Sequence, residues 1–248
     1  MKRFFNWQAI LALILIFLSF IFYLIHYLIF RDLRHIFIYL IGDIAFLFLN
    51  VLIVTLVLQR LLEFRDKQSI LNKLNMVIGT FFSEVGNELL RKCSQFDPQL
   101  SDIGRHLVVT KDWTDKEFMK VRKSIQGHES SIDSKRGDLI KMKDFLVGKR
   151  QFLLSLLENP NLLEHESFTN LLWSVFHLTD ELAHRRDLAK LPDTDYQHLS
   201  GDIERAYQQL ILQWLDYMKH LKQDYPYLFS LAMRTNPFDI NAFVEIRQ

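Results

Sequence analysis

Three side chains with metal-ligand character stand at helical spacing: His177, Glu181 and His184, at i, i+4 and i+7. At about 100° per residue they share one stripe of a helix. Imidazole nitrogen and carboxylate oxygen are donors for zinc and iron, and Glu181-Leu-Ala-His184 has the Glu-x-x-His form of di-iron bundles. Such a centre needs a second Glu-x-x-His and two further inward glutamates. The sequence holds no second copy, and the nearest remaining carboxylates are Glu84 and Glu88 on an earlier helix. The stripe also points away from the Leu171, Val175 and Leu182 face. A solvated polar face or an oligomer interface is therefore the expectation, with the three residues kept only as metal candidates.

Other chemistry is sparse. There is no Gly-x-Gly-x-x-Gly, no P-loop, no His-Glu-x-x-His, no Gly-x-Ser-x-Gly and no cysteine pair. The one cysteine, Cys93, excludes an intrachain disulfide and fits a reducing compartment; on a helix it reads as a small apolar filler. No catalytic residue, resident metal or cofactor is assigned.

The remaining candidates are polar residues set in apolar surroundings: His26, Asp43 and Asn50. An ionisable group in lipid is costly and normally has a partner. His26 with Asp43, or Asp43 with Arg31 or Arg34, would satisfy the carboxylate, and Asn50 would pair with Ser19 or a neighbouring subunit. Either these residues line an ion or proton path, or they join helices.

The elements that carry them are two apolar runs, Ala9 to Phe30 (22 residues) and Ile36 to Leu58 (23 residues). A bilayer core needs about 20. The first exceeds the apolar length of a cleaved signal peptide and has no small-x-small site after it, so it reads as a retained anchor. The short link Arg31 to His35 makes the pair an antiparallel hairpin. Lys2 and Arg3 precede it and Arg60, Arg65, Lys67 and Lys73 follow, against Arg31 and Arg34 in the link. The positive-inside rule then places both termini in the cytoplasm. Trp7, Tyr23, Tyr27 and Tyr39 lie toward the span ends, where aromatics favour the headgroup level.

The 248 residues carry 30 basic and 29 acidic side chains, and from residue 60 onward the division is 26 to 27. Near-neutral, interspersed charge excludes a nucleic-acid partner, which needs a clustered positive field. Beyond Leu58 a helical rhythm continues through Ile70, Leu74, Val77, Phe81 and Val85. A helix unbroken to Lys92 would be about 85 Å long, so a bend is expected near Gln59–Lys67, Gly79 or Gly86. Gly79, Ser83 and Gly86 recur at i, i+4 and i+7 as one narrow face for close helix packing.

Asp97-Pro98 ends that helix. A short helix is expected over Gln99–Val109 and a capped one from Thr114, with Glu117 completing a capping box, to Gln126. Gly127–Gly137 reads as a mobile, cleavable loop. Long amphipathic helices are expected over Asp138–Glu158, Ser167–Ala189 and Tyr196–Asp224, and a short one over Tyr227–Arg234.

The fold expected is all-α: a two-helix transmembrane hairpin (1–60) continuing into a cytoplasmic helical bundle (61–236), with a tail (237–248) that is disordered or docks a partner. The reading leans against an enzyme. It favours a membrane-anchored interaction or signal-relay module, with the lipid bilayer and a second copy or another protein as partners. A subunit of a small oligomeric ion or proton channel, and a metal-dependent enzyme on the bundle, are the alternatives.

Overall fold

The computed structural model describes residues 2–99, 104–127, 131–160, 162 and 165–245, with the side chains of 2–8, 66 and 68–72 left out. The side chains of Trp7 and Ile70, and residues 100–103 of the expected helix over Gln99–Val109, fall outside the described residues; Gly104–His106 form one helical turn. Among the described residues the regular structure is entirely helical. The helices are α1 (Lys2–Phe30), α2 (Leu33–Phe81), α3 (Asn87–Ser94), α4 (Asp115–Gln126), α5 (Leu139–Gly148), α6 (Arg150–Leu157), α7 (Glu166–His184), α8 (Asp193–Asp224) and α9 (Pro226–Arg234). A π-helical turn, Phe82–Gly86, joins α2 to α3. The chain divides into two compact units, Met1–Asp66 and Lys67–Gln248.

In the first unit, α1 and α2 are separated only by Arg31 and Asp32, a tighter link than the five residues expected. Arg31 closes α1 in the left-handed region at φ 49°, its N–H bonded to the Tyr27 carbonyl at 2.8 Å. The Asp32 carboxylate then accepts the N–H of Arg34 at 2.9 Å and of His35 at 3.3 Å, capping α2. Both helices contain stretches long and apolar enough to cross a membrane, Ala9–Phe30 and Leu33–Arg65, none of whose residues is fully buried within the unit.

The second unit holds one core. The faces Leu74, Ile78 and Phe81 of α2, Phe168, Leu172 and Val175 of α7, and Leu199, Ile203, Leu210 and Trp214 of α8 all contribute to it. The central pair is α7 and α8, joined by eight residues, 185–192, and therefore neighbours.

Several element boundaries differ from expectation. The irregularity in the long helix is the π turn, a widened i→i+5 turn. It resets the register, so Gly79, Ser83 and Gly86 do not form one face: Gly79 approaches the Tyr217 ring, Gly86 is buried beneath Phe81 and Phe82, and Ser83 is exposed. The helix expected over Asp138–Glu158 breaks at Lys149 into α5 and α6, with Leu153 and Leu156 as the buried positions of α6. Asp138 caps α5 by accepting the Lys141 N–H at 2.9 Å. Helix α7 stops at His184, short of Ala189, because Arg185 turns to an extended ψ of 125°.

The stretch Gly127–Gly137 is not the open loop anticipated over its described part. Ile132 and Ser134 are buried, the Asp133 N–H bonds the Phe96 carbonyl at 3.0 Å, and the Ser134 hydroxyl donates to the Tyr196 carbonyl at 2.7 Å. Gly137 lies flat against the Phe96 ring, where a Cβ would meet ring carbons at 2.5 Å. The tail is likewise ordered through its described residues. Just before it Asn236 is buried and donates to the Leu107 carbonyl at 3.0 Å, and within it Phe238 stands edge-on to Trp214 with ring centroids 5.2 Å apart.

Candidate functional site

The antiparallel course of α7 and α8 sets two one-turn pairs side by side. His177 and Glu181 project from α7, His198 and Asp202 from α8, each pair at i and i+4. Residues one turn apart on a helix share a face. Positions 177 with 202 and 181 with 198 are in register across the helix pair. One donor atom from each of the four lies within 4.8 Å of the others.

His177 Nε2 is 3.9 Å from Glu181 Oε1 and 3.6 Å from Asp202 Oδ1. His198 Nε2 is 3.5 Å from Glu181 Oε2 and 3.2 Å from Asp202 Oδ2. Each imidazole thus stands between both carboxylates. The histidine side chains are half exposed, at 47% and 53%, while Asp202 retains only 3% of its surface. The cluster is a shallow site with a buried acidic floor and two imidazoles at its rim.

Each carboxylate is also held by an arginine. Arg205 donates to Asp202 Oδ1 at 3.0 Å, and Arg185 donates to Glu181 Oε2 at 2.7 Å. Arg185 is in turn gripped by both oxygens of Asp195, at 2.6 and 2.8 Å. The Arg185 guanidinium holds the Glu181 and Asp195 carboxyls below the usual carboxylate range. The pairing raises the Arg185 pKa in return. Asp202 Oδ2, by contrast, is buried and accepts no hydrogen bond.

Of the residues singled out from spacing, the structure brings together His177 and Glu181 but not His184. The His184 ring lies at the end of α7 with Nδ1 2.7 Å from the Asp180 carbonyl oxygen. Glu84 pairs with Lys149 at 3.0 Å, and Glu88 with Arg91 and Lys92 at 3.3 and 3.4 Å. His198 and Asp202 were missed. Their spacing, His-x-x-x-acid, copies that of His177 and Glu181, and a search for that repeat rather than for Glu-x-x-His would have found them.

In the first unit, Ser19, His26, Tyr39 and Asp43 line one groove of about 660 Å³ beside the connection. His26 stacks on His35, with ring centroids 5.6 Å apart, and its Nδ1 has no hydrogen-bond partner. Asp43 shares the groove without an ion pair to His26, Arg31 or Arg34. Asn50 is exposed and lies outside the groove. Cys93 is fully buried, and burial pushes its thiol pKa far up, which removes it as a nucleophile.

Comparison with known proteins adds family membership. Residues 2–62 match the model of the MJ1433 N-terminal helical domain, and residues 70–234 that of the MJ1433 C-terminal helical domain. The chain is 46% identical over 239 residues, 96% of each chain, to Uncharacterized protein MJ1433 of Methanocaldococcus jannaschii. No solved structure matches it. With both helical domains matched in order and identity sustained along nearly the whole length, the chain belongs to the MJ1433 family.

Proposed function

We propose that the protein is a membrane-anchored interaction module: α1 and the apolar part of α2 form a bilayer hairpin, and the helical domain from residue 67 binds a partner or a second copy from the cytoplasmic side. The observation that carries the reading is the outward surface of the hairpin. More than thirty large apolar side chains between Ile10 and Phe64 are exposed, all round both helices. Each such side chain gains about 1.5–3 kcal/mol on leaving water, and a folded domain has only about 5–15 kcal/mol in total. Lipid is the solvent that suits this surface.

The basic residues flanking the hairpin support a cytoplasmic placement of both ends. The experiment is alkaline carbonate extraction of membranes bearing the full chain, with an Arg34→Cys variant exposed to a membrane-impermeant maleimide. The buried Cys93 gives a silent background. Retention in the pellet and labelling from outside intact cells are expected. Release into the supernatant overturns the anchor, and labelling only after lysis reverses the orientation.

One observation favours a second reading, a subunit of an oligomeric ion or proton path: the shared groove of Ser19, His26, Tyr39 and Asp43. Two helices enclose no pore alone, so this reading requires several copies. It predicts that Asp43→Asn changes conductance in a reconstituted bilayer, and a monomer in mild detergent removes it.

A further inference from the structure

We propose that His177, Glu181, His198 and Asp202 form a four-donor site for a divalent transition-metal ion, of which Zn²⁺ is the fitting case, and that the ion staples α7 to α8. The proposal goes beyond the membrane reading and does not depend on it.

Geometry is the first support. A tetrahedral ion with bonds of about 2.0–2.1 Å to nitrogen and oxygen sets its donor atoms about 3.3–3.4 Å apart. With Glu181 Oε1 and Asp202 Oδ2 as the carboxylate donors, the His198 Nε2–Asp202 Oδ2 edge is 3.2 Å and the His177 Nε2–Glu181 Oε1 edge is 3.9 Å. One donor atom from each of the four residues lies within 4.8 Å of the others, so side-chain adjustment draws the set in around one centre. All four donors come from two packed helices rather than from loops, which favours a site held in position by the scaffold.

The second support is independent of the clustering. Asp202 is 97% buried, by its 3% residual exposure, and its Oδ2 accepts no hydrogen bond while facing His198 Nε2 at 3.2 Å. Burying a carboxylate oxygen without a partner is costly. A cation between the two atoms supplies the missing partner.

Arginine placement completes the argument. Arg185 occupies Glu181 Oε2, and Arg205 occupies Asp202 Oδ1. The second oxygens, Glu181 Oε1 and Asp202 Oδ2, remain for an ion, with the arginines orienting the ligating carboxylates from behind, as outer partners do in metal centres. Two imidazole nitrogens and two carboxylate oxygens form a borderline-to-hard donor set of the kind that suits Zn²⁺. No thiol takes part, which disfavours Cu(I). Four protein donors fill a tetrahedral sphere, so the arrangement is structural rather than catalytic.

The test uses the full chain in detergent, without a histidine tag, stripped by chelator and titrated with Co²⁺ and then Zn²⁺. The expected result is one ion per chain at micromolar concentration, an intense visible Co²⁺ spectrum of the tetrahedral kind, and its loss on adding Zn²⁺. Asp202→Asn and His198→Gln are each expected to weaken binding by about 100-fold, whereas His184→Gln leaves it unchanged. Zn²⁺ should raise the thermal midpoint of the unmodified chain and not that of the two site variants. His198→Gln changes a half-exposed ring and keeps the test valid if Asp202→Asn fails to fold. Absence of saturable binding below millimolar metal, or binding by His198→Gln equal to that of the unmodified chain, overturns the proposal and leaves the four residues as an ion-pair lattice. A weak octahedral Co²⁺ spectrum overturns the four-donor geometry.

Discussion

Arg185 is where a single side chain determines local structure. Leaving α7, it reaches back to the Glu181 carboxylate and forward to both oxygens of Asp195, tying the helix end to the start of α8. Hydrogen bonds to charged groups contribute about 1.5–3 kcal/mol when one partner is removed. Arg185→Met should therefore lower the unfolding free energy by about 2 kcal/mol, read by urea denaturation. The same contact sets a pH dependence. Asp195 and Glu181 have folded-state pKa values below their unfolded ones because of the guanidinium. Their stabilisation is complete above the unfolded carboxylate range, about pH 4, and is lost as pH falls through the lowered folded values. The Arg185→Met variant should show a flatter acid limb than the parent chain. At this scale the sequence was half legible. His177 and Glu181 announce themselves by their spacing on one helix. Their partners sit 21 residues further on, and only the antiparallel register of α7 and α8 converts that separation into contact.

Among elements, the π turn has the largest effect on which faces meet. Glycine spacing read on an ideal helix joins Gly79, Ser83 and Gly86, but one extra residue in the turn rotates everything after it. A Cβ at Gly79 would touch the Tyr217 ring at an ordinary 3.5 Å, whereas at Gly86 it would meet the Phe82 ring at 2.5 and 2.9 Å. Gly79→Ala should be neutral or stabilising by up to about 1 kcal/mol through helix propensity. Gly86→Ala should cost about 1–3 kcal/mol, because overpacking forces the buried ring to move. Thermal unfolding of the two variants in parallel checks the contrast; equal midpoints would contradict it. Helix starts with a chemical signature were readable: Thr114 and Glu117 form the expected capping box at α4. The break at Lys149 follows directly on Gly148, a weak helix former, and the early stop at His184 comes where Arg185 leaves the helix to pair with Asp195.

For the molecule as a whole, periodicity alone announces an all-helical chain with core positions at Leu74, Phe81, Val85, Leu171, Val175 and Leu182, and the structure buries all of these. What periodicity does not convey is the role of segments without a repeat. The stretch 131–137 reads as a mobile loop and the tail as disordered or docking a partner, yet each inserts side chains beneath the helices: Ile132 and Ser134 in one, Phe238 in the other. Their attachment comes from isolated contacts, which no pattern records. Phe238→Ala should destabilise the helical domain by about 2 kcal/mol as the contact with Trp214 is lost. It should also shift tryptophan emission to longer wavelength as Trp214 meets water. An unchanged spectrum would mean that the tail contact does not shield the indole.

The seating of Asn236 and Phe238 has a consequence for the order of events during synthesis. A chain leaves the ribosome from its first residue onward, and domains fold as their parts emerge. The apolar segments of α1 and α2 are available early, long before α8. The helical domain, however, lacks the residues that cover Trp214 and bond the Leu107 carbonyl until position 238 has come out of the exit tunnel. Every nascent chain therefore passes through an interval in which nearly all of its helices are made but the contacts of Asn236 and Phe238 are not yet available.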